Sequence, residues 1–190
     1  MKLINFNLAV IVLVFLVSSC QSDYTKLVNK ELKSGIKNDA IFHGLKFGQT
    51  KSDFFRICWD LNKEKLATHG PDNSYVQIIL YPQDSTQITK NIRMLFYAKF
   101  SSDNIIRSMD IKFSYVDWAP WNTDLLSDKL LPKVQDTLMK WYPGNEFMTV
   151  RDNILVKVDG NRQIQLAIDS DRDVSVLIED LSYKINQLKK

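Results

Sequence analysis

Two cysteines and two histidines are the residues whose chemistry is easiest to place, and their spacing decides against most of it. Cys58 with His43 or His69 would form a thiolate–imidazole pair for covalent catalysis. The thiol, however, falls between Ile57 and Leu61 on an apolar helical stripe, where cysteine behaves as a small hydrophobe with a raised pKa, so it is expected in the core. His43 and His69 have no third ligand clustered with them, and a catalytic zinc needs about three, so no metal site is expected. The run Asp169-Ser170-Asp171-Arg172-Asp173 opens like a calcium loop, with Asp180 at the twelfth position. Val174 stands where that loop turns on glycine, and the residues after it alternate like a strand, so a solvated turn is expected instead. Trp118-Ala119-Pro120-Trp121, preceded by Tyr115, has the residue types of a stacking platform for sugar rings, with Asp117, Asn122 and Asp124 to hydrogen-bond hydroxyls. A crossover of this composition also folds its tryptophans onto the open end of a core. No G-x-S-x-G, P-loop or G-x-G-x-x-G is present, and the expectation is a chain with no catalytic residues and no cofactor. The 25 Lys+Arg and 22 Asp+Glu are scattered rather than blocked, which excludes a nucleic-acid footprint.

The elements that must position these residues follow from periodicity. A strand is expected over Ile41–Phe47, then a turn at Gly48-Gln49. Thr50 and Asp53 then form a capping box that starts a helix carrying Phe54, Ile57, Cys58 and Leu61 on one face, widened by Phe55 and Trp59. Three strands follow as a meander, Tyr75–Tyr81, Ile92–Phe100 and Ile105–Tyr115. In the second, Ile92, Met94, Phe96, Ala98 and Phe100 alternate with Arg93, Leu95, Tyr97 and Lys99, the pattern of a sheet with one wet side. A second helix is expected from about Pro132, well suited to a first helical position, to Tyr142, where Pro143-Gly144 stops it. Strands at Glu146–Val150, Ile154–Val158, Gln163–Ile168 and Val174–Ile178 come next, with Asp159-Gly160 as a hairpin turn, and Leu181, Ile185 and Leu188 mark a closing helix. The fold class is therefore α+β: antiparallel meanders with helices on one face, arranged as two similar halves, 39–117 and 118–190, of one domain.

The first twenty residues stand apart. Lys2 is the only charge before residue 23, and an apolar run over Leu8–Val17 ends at Ser18-Ser19 and Cys20, the order of a secretory signal. Val17-Ser18-Ser19-Cys20 resembles the lipobox of bacterial lipoproteins, which implies cleavage before Cys20 and acylation of its thiol and new amino group. Loss of residues 1–19 takes Lys2 away and lowers the formal charge from +3 to +2. Residues 20–38 then read as the lipidated cysteine and a polar tether with a short helix around Tyr24, Leu27, Val28 and Leu32. Gln21 follows the cysteine where Asp would resemble an inner-membrane retention signal, so the resemblance points to the outer membrane.

Phe47-Gly48-Gln49-Thr50-Lys51-Ser52-Asp53-Phe54 resembles the helix-entry motif of small envelope lipoproteins of the SmpA/OmlA type, with Gln49 where those families prefer Met. The helix-then-meander order is similar to the repeat of β-lactamase-inhibitor proteins, and the whole chain resembles lipoproteins of Gram-negative envelopes. These likenesses imply a helix-on-sheet module that binds other proteins. The expectation is a lipid-anchored, non-enzymatic accessory protein whose contact surface is the wet side of the sheet, with Tyr97, Leu95, Arg93 and Lys112, or the aromatic crossover. Its expected partners are the membrane and an envelope protein, with a glycan held by Trp118 and Trp121 as the alternative; hydrolysis of an envelope polymer is the rival outside binding.

Overall fold

A computed structural model describes residues 22–82, 90–151 and 153–188; the expected signal segment, residues 1–19, and Cys20 lie outside them. Among the described residues there are four α-helices, α1 (Asp23–Lys33), α2 (Lys51–Lys63), α3 (Ser127–Trp141) and α4 (Leu181–Leu188). Eight strands accompany them: β1 (Thr68–His69), β2 (Val76–Leu80), β3 (Ile92–Phe100), β4 (Ile106–Tyr115), β5 (Met148–Thr149), β6 (Leu155–Asp159), β7 (Arg162–Ile168) and β8 (Val174–Asp180). All pair antiparallel in a single sheet of order β1-β2-β3-β4-β8-β7-β6-β5. The chain runs helix plus four-strand meander twice, and the last strands of the two meanders, β4 and β8, meet at the centre of the sheet.

The alternating pattern of β3 and β4 does what it implies. Met94, Phe96, Ala98, Met109, Ile111, Phe113 and Tyr115 are buried, as are Val174, Val176, Ile178, Ile164 and Leu166 on the neighbouring strands. α2 and α3 pack on this face. Phe54 of α2, fully buried, lies 6.4 Å ring to ring from Phe96, and burying a side chain of that size contributes roughly 1.5–3 kcal/mol. Leu130, Val134 and Leu138 of α3 cover β4, β7 and β8. The capping box forms as expected: Thr50 Oγ1 accepts from the Asp53 amide at 3.1 Å, and Asp53 Oδ2 accepts from the Thr50 amide at 3.1 Å.

Two elements depart from the expectations, and a two-residue strand, β1, is added to the first meander at the sheet edge. Ile41–Phe47 is not a strand. His43 and Gly44 take positive φ (47° and 81°), and the Ile41 amide bonds the Leu45 carbonyl, so the chain reverses there while Ile41, Leu45 and Phe47 still reach the core. α3 begins at Ser127 rather than at Pro132, which sits inside the helix. The first turn closes on the Leu126 carbonyl, and the Ser127 amide is taken up by the Asp171 carbonyl, so the start is fixed from outside the helix while Leu130 is buried. The short helix expected around Tyr24, Leu27, Val28 and Leu32 is present as α1, and it is docked on the sheet. α1 lies on the face opposite α2 and α3, with Val28 packed on Val156, Val158 and Leu181 together with Tyr24, Leu27 and Ile185. Helices thus occupy both faces, the two long ones on the core side and the two terminal ones over the second meander.

Candidate binding surface

Register assigns the second, open face of the sheet. Arg93 pairs with Ser114, Leu95 with Lys112 and Tyr97 with Asp110; Asp110 then pairs with Leu177 and Lys112 with Ser175 across the centre. The expected contact residues do share this face, but they are unequally available. Gly70 packs over Leu95: a Cβ on that glycine would come within 3.1 Å of Leu95 Cδ2 and 3.0 Å of the Tyr75 carbonyl. The Gly70–Tyr75 segment therefore roofs part of the first meander, and what stays open is a central groove of about 330 Å³. Asp110 and Lys112 of β4, Ser175 and Leu177 of β8 and Gln165 of β7 form its floor, and Tyr75 and Ile154, each just before the second strand of its meander, stand at its walls. Lys112 Nζ donates to Asp169 Oδ2 at 3.0 Å, a bond that raises the lysine's pKa.

Tyr97 leads from this face to a second hollow. β2 begins only at Val76, opposite Phe96, so the end of β3 has no paired neighbour on that side, and the Tyr97 ring sits 5.4 Å from Phe54 and 6.1 Å from Phe100. Beyond it lies an apolar cleft of about 550 Å³ bounded by Phe55, Cys58 and Trp59 of α2, by Thr68 and His69 of β1, and by Tyr75 and Tyr97. Phe55 is 50% exposed and Trp59 61%, with Lys63 Nζ 5.7 Å above the indole. Burial pushes the Cys58 thiol up to about 12, so almost none of it is the reactive thiolate at neutral pH. Cys58 borders this cleft instead of lying wholly in the core.

The aromatic crossover is split. Tyr115 is fully buried and is a core residue, not a contact residue: as the last residue of β4 it keeps the inward parity of Phe113. Trp118 is half-buried against the core with the Arg172 guanidinium 5.6 Å from its ring, whereas Trp121 is 83% exposed. Asn122 spends its side-chain oxygen on the Asp124 amide. The Asp169–Asp173 run is a tight turn in which the Asp169 amide bonds the Asp173 carbonyl, and no group of three or more metal-ligating side chains gathers among the described residues. His43 and His69 are both exposed, on a loop and on the edge strand.

By sequence Phe55 and Trp59 widen the buried stripe and Tyr75 only opens a strand, whereas all three line the cleft. The signal for the first two was the width of that stripe, since Phe54, Phe55, Ile57, Cys58, Trp59 and Leu61 together exceed the arc one helix can bury on one sheet face. Among the described residues no helix is long and apolar enough to cross a membrane. No family model, curated protein or solved structure matches the chain.

Proposed function

We propose that this chain is a lipid-anchored protein of the cell envelope, held in the outer membrane through acylated Cys20, and that it binds a protein partner without catalysing a reaction. The lipobox resemblance supports the anchor. The observation that carries the binding role is the exposed aromatic band, in which Trp59 and Phe55 line a cleft joined through Tyr75 and Tyr97 to the central groove of the sheet. Exposed aromatic side chains are enriched at the centres of protein interfaces, where charged residues are pushed to a polar rim, and exposing them here has no folding rationale. The poorly ionised Cys58 thiol supports a role without covalent catalysis. The glycan alternative retains Trp121 alone as a freely exposed ring.

A photo-crosslinking residue placed at Trp59 or at Leu177 in intact cells tests this. Both positions should capture the same protein, with the adduct lost on Tyr97→Ala, and a crosslinker at Trp121 should leave it uncaptured. Cys20→Ala should abolish fatty-acid labelling. Capture of envelope polysaccharide at Trp121 with no protein adduct at the other two positions overturns the reading in favour of the glycan.

A further inference from the structure

The position of α1 constrains how the domain meets the membrane. Its N-cap is Ser22, whose Oγ accepts from the Thr25 amide at 3.2 Å, so two residue steps, at most about 7 Å of extended chain, separate the cap from Cys20. The helix is fastened at both ends. Tyr24 Oη donates to Gln163 Oε1 at 2.5 Å on the open face. At the other end the Glu31 carboxylate accepts from the Gly160 amide and from Asn145 Nδ2, both at 2.9 Å. Tyr24 also lies within the field of Glu179 on β8 and Lys184 on α4, so the start of α1 emerges over the open face next to the terminal helix.

The surface around that exit has a composition of its own. Leu188 of α4 is 80% exposed. The Arg107 guanidinium stacks 4.4 Å from the Tyr183 ring, and Lys184 bonds Glu179 at 2.8 Å. Together with Gln187 these side chains border a hollow of about 300 Å³. Apolar and aromatic tips beside long basic side chains suit the boundary between lipid headgroups and acyl chains, where arginine and lysine keep their charge in the polar layer.

Resting on the reading that Cys20 carries the acyl chains, we infer that the domain has no flexible tether: the end of the open face formed by the start of α1 and by α4 is held directly against a phospholipid bilayer. The chain between anchor and docked helix is too short to hold the start of α1 away from the lipid.

The test uses the full-length acylated protein, with Cys58→Ala as background, in vesicles of phosphatidylethanolamine and phosphatidylglycerol carrying a headgroup-attached quencher. One fluorophore is placed by Gln187→Cys on α4, and in a second sample by Asp136→Cys, an exposed position of α3 on the opposite face of the sheet. Loss of fluorescence at the α4 position with retention at the α3 position supports the mount. Equal responses on a chain whose acylation is verified by mass spectrometry overturn it and leave the anchor standing. A chain recovered without fatty acid on Cys20 overturns both.

Discussion

The two meanders share a topology but solve the same packing position with opposite chemistry. The last register pair between second and third strand is Leu80↔Ile92 in the first meander and Asp159↔Arg162 in the second. Two residues inward, Ile78 in the first corresponds to Lys157 in the second, and Lys157 is fully buried. The lysine pairs with Asp159 at 3.0 Å and donates to the Asn145 carbonyl. Arg162 lies 4.4 Å from the Tyr142 ring and donates to the Ala40 carbonyl. An apolar corner would close the core equally well, so the polar one has a different consequence. It holds the incoming N-terminal segment through Asn38, Asp39 and Glu31, which bond Asp159, Asn161, Gly160 and Asn145. The first meander, on which no terminal helix docks among the described residues, leaves its outer face to the Gly70–Tyr75 segment and an aromatic cleft.

The sharpest way to break this comparison is to remove the buried cation. Lys157→Ala leaves Asp159 buried without its counter-charge, and breaking a buried pair from one side costs about 3–5 kcal/mol. Urea denaturation should show that loss. The double variant Lys157→Ile/Asp159→Leu installs the first meander's residues and should recover much of it, because replacing both charges by packed apolar groups is often neutral. If the double variant is as unstable as the single one, the corner is more than a substitute for apolar packing.

Next in size is the turn beneath α1. Gly160 has φ +57°, a conformation that costs an L-residue about 1–2 kcal/mol, and its Cβ would also run into the Ile36 carbonyl. Gly160→Ala should therefore destabilise by at least that amount in urea. It should also expose the α1 amides to hydrogen exchange, while those of β2–β4 keep their protection.

What was legible in the sequence divides along the same line. Regular, locally determined features were readable: the Thr50/Asp53 box, the alternation of β3 and β4, the Asp159-Gly160 turn and the Pro143-Gly144 stop all follow from backbone and capping chemistry within a few residues. Features set by distant partners were not. The Leu126–Ser127 helix start depends on the Asp171 carbonyl, and the docking of α1 depends on a carboxylate, Glu31, meeting an amide 129 residues away. The candidate surface shows the same limit. Arg93, Leu95, Tyr97 and Lys112 were placed on one face by period-two counting, but only the chain crossing at Gly70 shows that Leu95 is roofed and that Tyr75 takes its place at the groove wall. Tyr115 belongs to the strand pattern, whose parity turns it inward, although its place before the crossover groups it by sequence with the surface aromatics.

A smaller effect tests the fastening of α1 through pH. The Gly160 amide, followed by Asn145, holds the Glu31 carboxyl below its usual range. Because the folded pKa is depressed, the stabilisation is present above the unfolded value, near 4.3, and is lost as pH falls through the folded one. Glu31→Gln should cost about 1 kcal/mol at neutral pH, the scale of one net hydrogen bond, and should abolish the acid-induced rise in α1 hydrogen exchange.

The smallest expected stability effect lies in the groove, where it separates folding from binding. Lys112 and Asp169 form an ion pair with side chains 40% and 45% exposed, so solvent screening limits its contribution to at most about 0.5–1 kcal/mol, less at high salt. Its bond to Asp169 raises the lysine's pKa, which places the loss of that small contribution above the lysine's ordinary titration and leaves neutral pH untouched. Lys112→Ala should therefore leave the urea midpoint nearly unchanged. The same side chain sits on the floor of the groove beside Asp110 and Leu177, so the variant should markedly lower in-cell crosslinking from Leu177 while preserving that from Trp59 at the far end of the band. Unchanged capture at both positions would show that Lys112 contributes nothing to partner binding, and equal loss at both would show that groove and cleft act as one surface.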